Sequence, residues 1–189
     1  MPRTPLQFQQ IKDERKLSIL EASLSLFALY TRNEVSIDLI SAKAKCSHGL
    51  VYHYFKNVDE VYNEVLKSKT YLDLQKSIIE TKENLSSYER LLEISQKLLQ
   101  ISNKSKEYVA FAVIMISDDS KNSLQKLLCK LISEGQKDGD ILAGKPEEIF
   151  ACFSNFLNGV YLPILLRRHP NTKIPAFENV IQIFKRRKF

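Results

Sequence analysis

The stretch from Ser36 to Lys56 places the tightest constraint on what this 189-residue chain can fold into. Ser36 can cap a helix, and the apolar residues after it recur at spacings of three and four, which predicts a helix of about two turns with one buried side. Ser47 can cap a second helix only eleven positions later. Because the turn between the two helices must then be short, the stretch has the outline of a helix-turn-helix motif.

The second predicted helix carries polar and aromatic side chains where a core helix would carry aliphatic ones. Val51 and Phe55 are suited to anchor it to the core, which leaves its other side free to enter the major groove of DNA. Binding to a DNA sequence needs contacts to phosphates for placement and contacts to base edges for recognition. We expect the base-edge contacts from Lys45, Ser47, His48 and Leu50.

This stretch resembles the helix-turn-helix of the TetR family of transcriptional regulators. The most specific part is the run VYHYFKNVDEVYNEVL, and the earlier run RKLSILEASLSLF resembles the family's first helix. The residues that stand in the family's pattern are Ala44, Ser47, Gly49, Tyr52, Tyr54, Phe55 and Glu60. The chain departs from the pattern at three positions: Lys45 replaces the usual turn glycine, Cys46 replaces valine, and Leu50 replaces a small hydroxyl residue.

The resemblance implies an all-α fold with two parts. Residues 1–56 would form an N-terminal three-helix helix-turn-helix head, and residues 57–189 a C-terminal helical body for ligand binding and dimerisation. It also implies that Tyr52, His53 and Lys56 contact phosphates of double-stranded operator DNA. Ser36 would add a further phosphate contact, because backbone N–H groups at a helix N-terminus attract anions.

Periodicity predicts where several helices begin and end. Helix 1 is expected from Ile11 to Tyr30, after a loose arm that ends at Gln10. Its apolar stripe is expected to comprise Leu17, Leu20, Leu24 and Phe27. A helix that begins near Asn57 and continues through Leu72 would form a rigid connector to the body.

The last two predicted helices differ in character from the others, and the first of them is apolar on more than one side. One runs from Pro146 to Arg168 with Pro163 inside it, and the other from Phe177 to Phe184. The family resemblance implies that they pair with their symmetry mates in a four-helix homodimer interface. The candidate interface residues are Phe156, Gly159, Val160, Ile164, Val180, Ile181 and Phe184.

A pocket for a small-molecule effector is implied by the family, and large apolar or amphipathic side chains in the body could line it. The candidates are Tyr108, Phe111, Met115, Phe150, Phe153 and Tyr161. Such residues suit a hydrophobic or aromatic ligand, although each could equally fill the core. The function that follows is a repressor released from a palindromic operator when this ligand binds.

Charge and cysteine usage bear on partners and compartment. The net charge is +6, but residues 1–60 contribute only +1, so net charge alone does not identify a DNA-binding head. Three cysteines without C-x-x-C spacing favour a reducing compartment. No apolar run is expected to approach the roughly twenty residues that span a bilayer, so we expect a cytoplasmic protein with no membrane partner.

Two other functions compete with a DNA-binding regulator. The departures at Lys45, Cys46 and Leu50 would suit a helical small-molecule or protein-binding module whose head no longer reads DNA. An enzyme has no catalytic motif behind it. Cys46, His48 and His53 do not fall on one side of a single helix, so we expect neither a metal site nor another cofactor.

Overall fold

The computed structural model describes residues 5–117, 123–166 and 174–185. The secondary structure in these ranges is helical apart from an isolated antiparallel bridge between Ile141 and Lys185, which confirms the all-α prediction. The chain packs into two compact units, one ending at Leu72 and the other beginning at Asp73. The functional division after residue 56 stays a prediction.

Four helices belong wholly to the first unit, the head. They are α1 (Pro5–Phe27), α2 (Ile37–Ala44), α3 (His48–Tyr54) and α4 (Val58–Leu66). Helices α2 and α4 pack on α1, and α3 packs on α2. The buried side chains at the centre of this unit include Ile19, Phe27, Ile40, Val51, Phe55 and Val61.

The first helix differs from its prediction in its bounds and in its buried side. It begins at Pro5 rather than Ile11 and ends at Phe27 rather than Tyr30. Leu24 and Phe27 are buried as expected, whereas Leu17 is 57% exposed. Because two helices pack on α1, its buried side also takes in Ile19, Ser23 and Leu26. The Ser23 hydroxyl donates a hydrogen bond to the Ile19 carbonyl oxygen at 2.7 Å, so its burial leaves no unpaired donor.

The connector predicted to run unbroken through Leu72 is in fact two helices. Helix α4 stops at Leu66, and α5 (Lys69–Ile79) begins three residues later. At the break, the Ser68 N–H bonds to the Val65 carbonyl oxygen at 3.2 Å. The Ser68 hydroxyl oxygen accepts a hydrogen bond from the Tyr71 N–H at 3.3 Å, which starts the next helix. The serine thus offers the backbone an alternative to helical continuation, and periodicity alone does not reveal this.

The second unit, the body, contains the remaining helices. They are α6 (Ser87–Ile101), α7 (Lys106–Ser117), α8 (Leu124–Lys137), α9 (Pro146–Leu166) and α10 (Phe177–Val180), the last followed by a 3₁₀ turn over Ile181–Ile183. Helices α7, α8 and α9 pack against one another, and α6 packs on α7 and α8. A capping box at Ser86 and Glu89 starts α6.

Helix α9 is long and apolar enough to cross a membrane by length and composition, so the expectation that no run would reach that length is wrong. Core helices of soluble proteins share these properties. Three side chains of α9, Phe153, Leu157 and Tyr161, are buried in the body, where α9 packs on α7 and α8. Its outward side keeps apolar groups in solvent, including Leu162, which is 45% exposed. The predicted last residues of this helix, Arg167 and Arg168, lie outside the described residues.

The predicted final helix from Phe177 to Phe184 is α-helical only over its first half, Phe177–Val180. The chain then tightens into the 3₁₀ turn, and Phe184 is fully buried with its ring 5.1 Å from that of Phe153. The Leu142 N–H donates to the Phe184 carbonyl oxygen at 3.0 Å. These contacts hold the end of the described chain against the body.

The candidate interface residues divide into two groups. Val160, Val180 and Phe184 are buried within one protomer. Phe156, Ile164 and Ile181 are half-buried and Gly159 is exposed, so these four remain accessible to a second copy. That they form a dimer interface stays a prediction.

Candidate nucleic-acid interface

The two helices of the motif begin at the predicted serine caps. The Ser36 hydroxyl accepts a hydrogen bond from the Leu39 N–H at 3.2 Å and starts α2. The Ser47 hydroxyl accepts one from the Leu50 N–H, also at 3.2 Å, and starts α3. Both cap predictions are confirmed, and the caps fix where each helix begins relative to the turn.

Lys45 adopts the left-handed conformation at the turn, with φ 53° and ψ 47°. A glycine takes this conformation without steric cost, whereas another residue brings its Cβ close to a backbone oxygen. The Lys45 N–H donates to the Ala42 carbonyl oxygen at 3.3 Å, and the Cys46 N–H to that of Ser41 at 3.0 Å. The turn therefore forms with its ordinary hydrogen bonds although the glycine is missing.

Helix α3 is anchored on its inner side by apolar and aromatic groups. Val51 and Phe55 are 0% and 1% exposed. The Tyr54 hydroxyl donates to the Lys12 carbonyl oxygen at 3.1 Å, which ties α3 to α1. The expectation that Phe55, and largely Tyr54, serve the core is confirmed.

The side chains predicted to contact DNA lie on the outer side of the motif. Tyr52 is 58% exposed, so it does not serve as a core aromatic. Leu50 is half-buried. The other predicted contacts are all exposed: Ser36, Lys45, Ser47, His48, His53 and Lys56. Their contact with DNA stays a prediction, but the fold makes them available for it.

Two acidic residues of this surface have roles that the sequence analysis did not assign. Asp38, in the first turn of α2, places a carboxylate oxygen 3.3 Å from Nδ1 of His48 on α3. Glu60 accepts a hydrogen bond from the Lys56 N–H at 2.6 Å. The Glu60 N–H in turn donates to Asn57 Oδ1 at 2.9 Å. The Asn57–Glu60 spacing is a capping signal that could have indicated the second role, whereas the first depends on how α2 and α3 pack.

Helix α4 is held to α1 by a charged pair. Glu64 bonds Lys16 on α1 at 3.0 Å and Lys67 at 3.0 Å. These two hydrogen bonds, that of Lys16 first, hold the pKa of the Glu64 carboxyl below its usual value. The Lys16 ammonium also lies 5.7 Å from the centre of the Phe55 ring, just after the end of α3. Lys16 thus contacts both Glu64, near the end of α4, and the Phe55 ring that supports α3.

The predicted ligand residues lie mostly in the core of the body. Tyr108 is half-buried, and the other five, Phe111, Met115, Phe150, Phe153 and Tyr161, are buried. The Tyr161 hydroxyl donates to the Leu98 carbonyl oxygen, and burial raises the pKa of this phenol. These residues therefore fill the core in this structure, and their role in ligand binding stays a prediction.

A separate open groove of about 530 Å³ runs along α6 in the body. Its lining is mainly polar and charged, and none of the six predicted ligand residues contributes to it. The residues that line it are Lys82, Leu85, Glu89, Leu92, Glu93, Gln96, Lys97, Gln100 and Phe177. Two of the charged residues, Lys97 and Glu93, pair with each other at 2.9 Å.

Comparison with known proteins agrees with this geometry. Residues 19–65, which include α2, α3 and most of α4, match the model of the bacterial regulatory proteins of the tetR family. An uncharacterized HTH-type transcriptional regulator of Bacillus subtilis strain 168, YhgD, is 25% identical over 144 residues, which cover 71% of this chain and 75% of that protein.

Solved structures share the fold over nearly the whole chain. A candidate transcription regulator from Lactobacillus plantarum superposes with a TM-score of 0.59 at 14% identity, covering 91% of this chain and 99% of that one. NalD, the secondary repressor of the MexAB-OprM multidrug efflux pump in Pseudomonas aeruginosa, gives 0.55 at 15% identity, covering 93% and 98%. The head of this chain thus matches the TetR family of transcriptional regulators in sequence over residues 19–65, and the chain shares its fold with solved transcription regulators.

Proposed function

We propose that this regulator is a homodimeric repressor that binds a palindromic operator and releases it when a small hydrophobic or aromatic ligand binds the body. The observation that carries the proposal is the outer side of the helix-turn-helix. Seven of the eight predicted DNA contacts are exposed there, while Val51 and Phe55 are buried beneath them. A rigidly anchored helix with free polar and basic side chains is suited to the major groove.

The contacts fall into two classes. Tyr52, His53, Lys56 and the N-terminus of α2 at Ser36 would bind phosphates and set the position of the head. Lys45, Ser47, His48 and Leu50 would meet base edges, with Leu50 against a thymine methyl group. A two-fold dimer would place two copies of α3 in successive major grooves, about 34 to 36 Å apart, which is why we expect a palindrome.

NalD shares the fold and acts as a repressor, the mode proposed here. For release, we propose that the ligand enters among the aromatic residues of α7 and α9. Met115 lies in that cluster and has an adaptable side chain. Ligand binding lowers operator affinity only if the ligand prefers the state that binds DNA less well. A repressor acting on operator DNA would work in the cytoplasm.

The test is selection of bound duplexes from a random DNA pool, followed by a salt series on the enriched sequence. We expect a palindromic site whose affinity falls steeply with salt. Lys56→Ala should weaken binding and reduce the slope of log K against log salt by about one. The control, Lys104→Ala, removes an exposed lysine of the body and should change neither.

The opposite result would favour the competing function. If no sequence is enriched above background at moderate salt, the head does not read DNA, and the body would be a ligand-binding or protein-binding module. Loss of binding in Lys104→Ala equal to that in Lys56→Ala would show that general charge, rather than the helix-turn-helix, attracts the DNA.

A further inference from the structure

The pair formed by Asp38 and His48 joins the two helices of the motif at its solvent side. The Asp38 carboxylate oxygen lies 3.3 Å from His48 Nδ1, and the two side chains are 79% and 58% exposed. An exposed pair of this kind contributes little to folding. Because the pair adds little to stability, its effect is expected on the hydrogen-bonding groups that His48 presents to DNA.

The pair determines whether the outward nitrogen of His48, Nε2, is a hydrogen-bond donor or an acceptor. An ionised carboxylate can only accept hydrogen bonds, so Nδ1 of His48 must carry the proton between them. A neutral imidazole has one proton, and Nε2 is then left as an acceptor. Without the carboxylate, the proton is free to move to Nε2, which reverses the hydrogen-bonding character of the outward nitrogen.

We propose that Asp38 is a positioning residue for base recognition: it holds the Nδ1 proton of His48 so that Nε2 accepts a hydrogen bond from an amino group of adenine or cytosine in the major groove. The proposal rests on the proposed operator binding. Adenine N6 and cytosine N4 are the amino donors that the major groove displays, whereas guanine offers N7 and O6 as acceptors.

The experiment compares operator duplexes that differ at one base pair of each half-site. For the wild-type protein at about pH 8, one position should prefer adenine or cytosine over guanine by about threefold to tenfold, the effect of one hydrogen bond. Asp38→Ala should abolish the ratio at pH 8, and His48→Ala should do the same.

Two comparisons separate positioning from simple charge removal. Asp59→Ala removes an exposed carboxylate of the same head that pairs with Arg32 rather than His48, and it should keep the ratio. Any uniform gain in affinity on losing a negative charge cancels in the ratio. Adding Asp38→Ala to His48→Ala should cause no further change at that position, because the aspartate acts only through the histidine.

The experiment gives different results when only the inference about Asp38 fails and when operator binding itself fails. If the wild-type protein selects a sequence but Asp38→Ala leaves the ratio unchanged, the inference is wrong and operator binding stands. If Asp38→Ala caused a further change in the ratio when added to His48→Ala, the inference would also be wrong. A wild-type protein that selects no sequence would overturn the proposed function and this inference with it.

Discussion

Lys45 shows how a regulator can keep the turn of its DNA-binding motif without the usual glycine. The residue is left-handed, and the turn hydrogen bonds from Lys45 and Cys46 are both present. A side chain in this conformation costs roughly 1–2 kcal/mol, which the packing of the surrounding helices must offset. The position is thus strained but carries an exposed ammonium group at the proposed DNA surface.

We expect Lys45→Gly to separate stability from DNA binding. The free energy of unfolding should rise by about 0.5–1 kcal/mol, because the strain is relieved while the unfolded chain gains freedom. DNA affinity should fall at the same time, since a cationic contact is lost. Urea unfolding and operator titration of the same variant measure the two effects.

Lys43→Gly is the matched control for this substitution. Lys43 lies inside α2, so a glycine there should lower the free energy of unfolding by about 0.5–1 kcal/mol. Equal destabilisation by both glycines would contradict the assignment of strain to Lys45.

Individual residues also show which features of the motif could be predicted from the sequence. The caps at Ser36 and Ser47 and the turn at Lys45 were predictable, because each depends on atoms within three or four positions along the chain. The Asp38–His48 pair was not, because its partners are ten positions apart and meet only through the packing of α2 and α3.

At the scale of elements, the junction after α8 is built around a close contact. The Gly135 carbonyl oxygen accepts hydrogen bonds from the N–H groups of Asp140 and Ile141, at 2.9 and 3.1 Å. A Cβ at Gly135 would lie 2.6 Å from Ile141 Cδ1. Ile141 is buried and cannot swing into solvent, so the glycine is needed for this approach.

Gly135→Ala should therefore lower the free energy of unfolding by about 1–3 kcal/mol through overpacking, measured by urea denaturation. Ile141→Val in the same chain removes the nearest atom and should recover part of the loss. Gly49→Ala is the control, because a Cβ there meets nothing within 4 Å and an alanine favours helix. A Gly135→Ala variant as stable as the parent would show that the junction can open without cost.

The elements also show where periodicity fails. It predicted that the chain would be helical, but it merged α4 with α5 and extended the last helix to Phe184. The Ser68 side chain caps the start of α5, and burial of Phe184 against Phe153 shapes the last segment. Both are decided by hydrogen bonds and tertiary contacts that an apolar repeat does not contain.

At the scale of the whole molecule, the proposed dimer depends on the outward side of α9. Gly159 is exposed, and a Cβ built there meets nothing within 4 Å. An arginine at this position therefore fits one protomer, but it would place a charge and a long side chain in an interface formed by close helix approach. Of the predicted interface residues, this one offers the sharpest test.

We expect Gly159→Arg to be a folded monomer with weakened affinity for the full palindrome. Asn103→Arg, which adds the same charge at an exposed turn of the body, should remain dimeric. Sedimentation at several concentrations gives the oligomeric state, and thermal unfolding checks the fold. A Gly159→Arg variant that dimerises like the parent would place the interface elsewhere.

Apolar groups of α9 such as Leu162 lie in solvent. A dimer formed through this side of α9 would make repression depend on gene dosage. If protomers must associate before they can occupy two half-sites, operator occupancy follows the square of protomer concentration when the protein is scarce. A twofold change in copy number would then change occupancy by about fourfold. We therefore expect the gene under this regulator to respond to the amount of protein in the cell as well as to the ligand.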